Sequence, residues 1–218
     1  MSKLQYLTII FIGFIQTSIA QEKPAISPPV PPEIMLGNER IFFQMSVSKP
    51  INTESKFGFF NITTFQTDYK NTKIEQDFVS VSWLHYKIWK GLSPFAGVAM
   101  NQAIGFNTIT GLQYVFANKE WLVVVAPLMY LKATKDLEYF SKVEFKPALS
   151  EKVNLYTNLQ ILYNKNSKDN LHNRSYLYGR IGLTAKHLTY GLGANFDYYS
   201  PLKINKNNFG VFMRADLF

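Results

Sequence analysis

Val153-Asn154-Leu155-Tyr156-Thr157-Asn158-Leu159-Gln160-Ile161-Leu162-Tyr163 repeats with a period of two. One phase reads Val153, Leu155, Thr157, Leu159, Ile161, Tyr163, and the other reads Asn154, Tyr156, Asn158, Gln160, Leu162. A strand sends successive side chains to opposite faces, so this stretch is predicted as a strand with one oily face and one amide-lined face. The pattern recurs on both sides. Leu137, Tyr139, Val143 and Phe145 oppose Glu138, Lys142, Glu144 and Lys146, and Leu177, Ile181, Leu183 and Ala185 oppose Tyr176, Tyr178, Arg180 and Thr184. Further on, Leu192, Ala194 and Phe196 oppose Gly193, Asn195 and Asp197, and Phe209, Val211, Met213 and Leu217 oppose Gly210, Phe212, Arg214 and Asp216. Two-faced strands separated by turns predict an all-β chain, an antiparallel transmembrane β-barrel with lipid outside and polar side chains inside.

The N-terminus supplies the route to a membrane. Lys3 precedes an apolar stretch at 7–15 and the small-x-small triplet Ser18-Ile19-Ala20, the layout of a cleaved signal peptide at 1–20 with the cut between Ala20 and Gln21. The apolar stretch is well short of the roughly 20 residues a spanning helix needs. Residue 21 is Gln, not the Cys a lipid-anchored bacterial N-terminus uses. Residues 21–39 hold Pro24, Pro28, Pro29, Pro31 and Pro32, which fix φ and lack ladder donors, so they are expected to form a proline-rich periplasmic linker before a barrel at 40–218. That linker reads either as a plain leader or as a tether for a polyproline-binding partner.

Composition narrows the class. No cysteine is present, which excludes disulfide staples and thiolate metal sites in an exported chain. Charged residues are 17% and aromatics 16%, and mean hydropathy lies near zero, as alternating lipid-facing and lumen-facing positions would average. The formal charge of +8 falls by one when Lys3 leaves; a basic surface suits lipopolysaccharide phosphates, and scattered loop lysines account for it equally simply.

Strand candidates begin at Arg40, where Ile41, Phe43, Met45 and Val47 alternate with Gln44, Ser46 and Ser48, and continue through 57–66, 79–84, 95–102, 111–117 and 121–131. The segment 121–131 is apolar in both phases, so its facing is open. Eleven segments emerge, whereas a single-chain barrel with both termini periplasmic has an even number. The expectation is about ten strands with 40–48 outside the closed sheet, because a proline linker offers it no partner, or twelve if one strand is hidden. Counting back from a periplasmic C-terminus, the polar links at 164–173 and 200–207 fall outside the cell, and 118–120, 147–152 and 186–187 fall inside. The links at 67–73 and 164–173 are candidates for recognition.

A soluble β-sandwich or lipocalin-like barrel alternates too. Its charged phase faces water and has no need of balance. Here the polar phase carries Glu138, Lys142, Glu144, Lys146, Arg180, Asp197, Arg214 and Asp216, four of each sign, as an internally paired lumen requires. These eight are the predicted lumen charge network, and with the export signal they favour the membrane.

The chain closes Arg214-Ala215-Asp216-Leu217-Phe218, and a terminal Phe ending an alternating strand resembles the assembly signal of outer-membrane barrels. With Ser48-Lys49-Pro50, Phe57-Gly58-Phe59-Phe60-Asn61 and Arg174-Ser175-Tyr176-Leu177-Tyr178, the mature chain resembles small uncharacterised outer-membrane β-barrel proteins of the Bacteroidota type. The resemblance implies a Gram-negative outer-membrane address and brings no catalytic residue.

Chemistry is sparse. The histidines are His85, His172 and His187. A wall lipid hydrolase needs Ser and His together at the outer face. His172 and Ser175, three apart on a regular strand, would point to opposite faces. His85, near a strand end, reads as interfacial. No phosphate loop, metal cluster or acidic calcium repeat occurs, so no cofactor and no metal is expected, and nucleic-acid binding lacks a basic stripe. The expected role is structural or accessory, with outer-membrane lipid and lipopolysaccharide, or a larger outer-membrane complex, as partners and a lumen plugged by polar side chains. A small-solute channel and a lipid-modifying enzyme are the alternatives.

Overall fold

The computed structural model describes residues 28–70, 76–102 and 105–217. The expected signal peptide with its Ala20/Gln21 cut, the start of the proline-rich stretch, part of the link at 67–73 and Phe218 lie outside these residues.

Among the described residues twelve strands form one closed barrel: β1 (Glu33–Gly37), β2 (Arg40–Pro50), β3 (Phe57–Asp68), β4 (Asp77–Tyr86), β5 (Leu92–Asn101), β6 (Gly105–Ala117), β7 (Trp121–Tyr130), β8 (Leu137–Phe145), β9 (Val153–Asn166), β10 (Leu171–Ala185), β11 (Leu188–Tyr199) and β12 (Ile204–Ala215). Each pairs antiparallel with its sequence neighbours, and β1 closes the ring against β12. An even count puts both chain ends at the same end of the barrel.

The ten-strand expectation is therefore corrected to twelve. The segment at 40–48 lies inside the sheet, as β2 between β1 and β3. Its partner is the strand that proline content concealed. The prolines stop at Pro32, so β1 begins where ladder donors return, and its own alternation sends Ile34 and Leu36 outward and Met35 inward. Residues 33–37, read as the end of the linker, are thus barrel wall. Asn208, fully buried, secures the β1–β2 turn: its Oδ1 accepts from the backbone N–H groups of Glu39 (3.2 Å) and Arg40 (3.0 Å), and its Nδ2 donates to the Arg40 carbonyl (2.9 Å). Gly37 is needed beside it, because a Cβ there would run into the Asn208 amide.

Loop lengths distinguish the two ends less than expected. Residues 164–166 and 171–173 belong to β9 and β10, and 204–207 to β12, so those two links shrink to short turns. The amide-bearing residues form ladder instead of loop.

The faces of β9 are those its alternation predicts. Tyr156, Asn158 and Gln160 are buried inside while Leu159, Ile161 and Tyr163 stand exposed outside. The outer wall repeats this. Leu177, Ile181, Leu192, Val211 and Met213 lie bare across its middle, with Phe57, Tyr86, Trp89 and Trp121 toward the end that carries the chain termini and Phe106, Tyr139, Tyr163 and Phe196 toward the other. An aliphatic band between aromatic girdles is the surface a bilayer-spanning barrel presents.

Strands beside the apolar part of the lumen depart from oily-out, polar-in, β3, β4 and β7 among them. In β4 the phase of Val81 and Trp83 points inward and Ser80 and Ser82 point outward, the reverse of an oily wall. The outward serines are satisfied locally: Asn61 Nδ2 donates to Ser82 Oγ (2.9 Å) and Ser80 Oγ (3.3 Å), and the Thr63 and Ser80 hydroxyls lie 2.9 Å apart. In β7, Val124, Ala126, Leu128 and Tyr130 take the inside. Both phases of β7 are apolar because the lumen beside it is apolar.

Candidate functional site

Inward side chains line the lumen, and the lining differs by sector. From β4 to β8 the interior is a hydrophobic cluster including Trp83, Phe95, Ile109, Ala126, Leu128 and Phe140. Trp83 stacks between Phe60 (4.2 Å) and Phe95 (4.4 Å), and its Nε1 donates to Gln113 Oε1 (2.8 Å). From the C-terminal half of β8 round to β2 the interior carries the ionic groups, with a smaller apolar cluster of Met35, Phe42, Tyr156, Tyr178 and Phe212 among them.

Six of the eight predicted lumen charges lie on inward phases of β8, β10, β11 and β12, while Lys146 and Asp216 follow the ends of β8 and β12; they fall in separate groups. Glu144, almost wholly buried, gathers Lys142 (2.8 Å), Lys146 (2.9 Å) and Arg214 (2.8 Å), and Arg214 also reaches Asp216 (3.0 Å). Arg214 donates further to the Tyr156 hydroxyl at 2.7 Å. Arg180 pairs with Glu33 (2.8 Å), donates to Asn195 Oδ1 (2.8 Å) and lies over the Phe42 ring. Asp197 is held by Arg40 (3.2 Å) and Arg174 (2.9 Å) and accepts from the Tyr178 hydroxyl (2.7 Å). Glu138 stands apart: it accepts from the Tyr130 hydroxyl (3.1 Å) and Asn164 Nδ2 (2.9 Å), two neutral donors.

Sequence reasoning gave these charges as a set without pairs, and it missed the partners Glu33, Arg40, Asp77 and Arg174. Glu33 lay in the presumed linker, and Arg40 and Asp77 open their strands, where phase is hardest to read. Arg174 was legible: it shares the phase of Tyr176, Tyr178 and Arg180.

Several bonds cross the barrel. β4 and β10 stand six places apart around the ring, on opposite sides, yet Arg174 of β10 meets Asp77 of β4 at 2.9 Å. The Tyr199 hydroxyl of β11 donates to the same carboxylate (2.7 Å), and Gln66 of β3 donates to the Tyr178 hydroxyl of β10 (3.2 Å).

Beside this crossing, at the end opposite the chain termini, opens a cavity of about 630 Å³. One wall is apolar, with Val79, Val81, Leu128 and Phe140, and Trp83 also lines the cavity. Polar and charged groups, including Arg174, Glu138, Lys132 and Asp136, line the rest together with Leu162, Ile204 and several tyrosines. Lys132 pairs with Asp136 Oδ2 at 2.8 Å, which leaves the buried Asp136 Oδ1 without a hydrogen-bond partner.

The histidine geometry differs from the expectation. A register shift between His172 and Arg174 sets His172 opposite Lys165 and Ser175 opposite Tyr163, so the two share a face where regular spacing would part them. The His172 ring packs between Tyr163 and Tyr198, 5.2 Å from each. Among the described residues no hydrogen bond joins it to Ser175. His85 occupies the inward phase near the end of β4, its ring over Gly58, where a Cβ would collide with it. Among the described residues no group of His, Asp and Glu is placed to hold a metal ion.

No family model matches the chain, and no curated protein matches it by sequence. Solved structures match it by fold. The KdgM porin superposes with a TM-score of 0.51 at 9% identity, over 87% of this chain and 99% of that one. The KdgM porin in complex with disordered oligogalacturonate gives the same values, and the NanC porin gives a TM-score of 0.48 at 10% identity, over 87% and 100%. The likeness is one of architecture: an antiparallel closed barrel of the outer-membrane kind.

Proposed function

We propose that this protein is an integral outer-membrane barrel that binds a small solute in a vestibule above a lumen closed by its own side chains. Its chain termini face the periplasm and its vestibule faces outward. The bare aliphatic band between aromatic girdles supports the address, because in water so much exposed apolar wall would drive association. The observation that carries the closed lumen is the Arg174–Asp77 pair, which joins strands on opposite sides of the barrel. Wide aqueous channels belong to barrels with more strands, and near this size side chains can span the interior.

Planar-bilayer conductance tests this. The purified wild type is expected to give no stable single-channel steps, and a double variant Asp77→Ala, Arg174→Ala is expected to give brief, small openings. Stable steps from the wild type would overturn the closed lumen.

A selective channel is the second reading, and the architecture shared with the KdgM porin favours it. Under that reading the crossing pairs part when solute enters, and conductance appears only with the solute present. A wall enzyme has less support, since His172 is held in an aromatic stack without a bond to Ser175.

A further inference from the structure

We infer that the vestibule takes an organic cation: an ammonium group carried on an apolar or aromatic body. The inference rests on the reading that the vestibule binds a solute, and it names the solute's chemistry.

The pairing of the inward carboxylates motivates it. Among the described residues Glu33, Asp77, Asp136, Glu144, Asp197 and Asp216 each have a Lys or Arg within 3.2 Å. Glu138 has only the Tyr130 hydroxyl and the Asn164 amide. A carboxylate in a confined, partly apolar space gains most from a cation, and neutral donors supply hydrogen bonds without the charge. Glu138 also lines the cavity, so a ligand can reach it.

The nearby cations are committed elsewhere. Arg174 is shared between Asp77 and Asp197, and Lys132 is bound to Asp136. Lys206 lines the wall contributed by β12, its ammonium over the Tyr199 ring at 5.8 Å. The second observation is Asp136, two residues before Glu138. It lines the same cavity and is 4% exposed, and its Oδ1 lacks a partner. An ammonium with three donors would satisfy Glu138 and could draw on this second oxygen. The apolar wall from Leu128, Phe140, Val79 and Val81 then receives the body of the ligand. A site with one charged anchor and an oily wall discriminates by charge at the anchor and by shape at the wall.

Three fluorinated probes of one shape test the idea: 4-fluorophenethylamine, 4-fluorophenethyl alcohol and 4-fluorophenylpropionate. Each is titrated by fluorine NMR against the wild type and the Glu138→Gln variant in the same detergent micelles. Heat-modifiable migration on gels verifies that the variant is folded. The wild type is expected to bind the amine at least tenfold more tightly than the alcohol, and Glu138→Gln to reduce that ratio to near one. A merely structural Glu138 would leave the ratio intact. Equal wild-type binding of amine and alcohol, preference for the carboxylate, or an unchanged ratio in the variant would overturn the cation assignment. Binding of the alcohol or carboxylate alone would preserve the solute-binding vestibule, whereas no saturable binding of any probe would overturn both.

Discussion

From β4 to β8 the interior is lined largely by rings and aliphatic side chains, whereas from the C-terminal half of β8 round to β2 ions and amides share it with a smaller apolar cluster. The two sectors are held together by different physics. The apolar sector loses little when one contact loosens, because dispersion and burial are spread over many atoms. The ionic sector concentrates its energy in a few bonds, each with a large penalty for a missing partner. The ionic sector should therefore be brittle to single substitutions and tolerant of paired ones.

The largest effect is expected at Glu144. Replacing it with Ala leaves Lys142, Lys146 and Arg214 facing one another with no carboxylate between them. The cost should be about 3–5 kcal/mol, read from urea unfolding of the barrel in lipid vesicles. A loss under about 1 kcal/mol would show that water reaches this cluster, by the low worth of exposed pairs.

The apolar sector should respond more mildly to Trp83→Phe. The stack with Phe60 and Phe95 is retained, but the buried Gln113 Oε1 loses its donor, at a cost of about 1–3 kcal/mol. Adding Gln113→Leu should recover part of the loss in a double-mutant cycle, and full additivity of the two changes would refute the proposed bond.

The smallest effect sharpens the contrast. Exchanging Glu33 and Arg180 together for Met should leave stability within about 1 kcal/mol of wild type, although Arg180→Met alone should cost about 3 kcal/mol by stranding a buried carboxylate. If the double variant is as unstable as the single one, the pair contributes more than charge cancellation.

The same division explains what could be read in the sequence. Where the lumen is polar, alternation reports facing directly: Asn158 and Gln160 go in, Leu159 and Ile161 go out. Where the lumen is apolar the signal degenerates, so β7 gave no facing, and in β4 the apolar phase of Val81 and Trp83 is the inward one. Ser80 and Ser82 carried the contrary hint, since their hydroxyls face outward only because Asn61 and Thr63 bind them. The charged residues were legible as a set but not as pairs. Pairing depends on which strands meet across the barrel, and closure fixes that through β1. The vestibule was invisible for the same reason, since its wall draws on strands from β3 to β12.

β1 has only five residues, yet its partner β12 is the last strand of the chain, with Glu33 set opposite Arg214. Bringing ends roughly 180 residues apart together costs on the order of 5 kcal/mol in chain entropy, more than for any hairpin in the ring. The shortest strand therefore carries the longest wait. β1 pairs with β2 across a short turn but meets β12 only at closure, and until then β1 and β12 are open edges that can recruit a foreign strand. A five-residue stitch thus removes both edges at once, and every earlier stage of assembly carries them open.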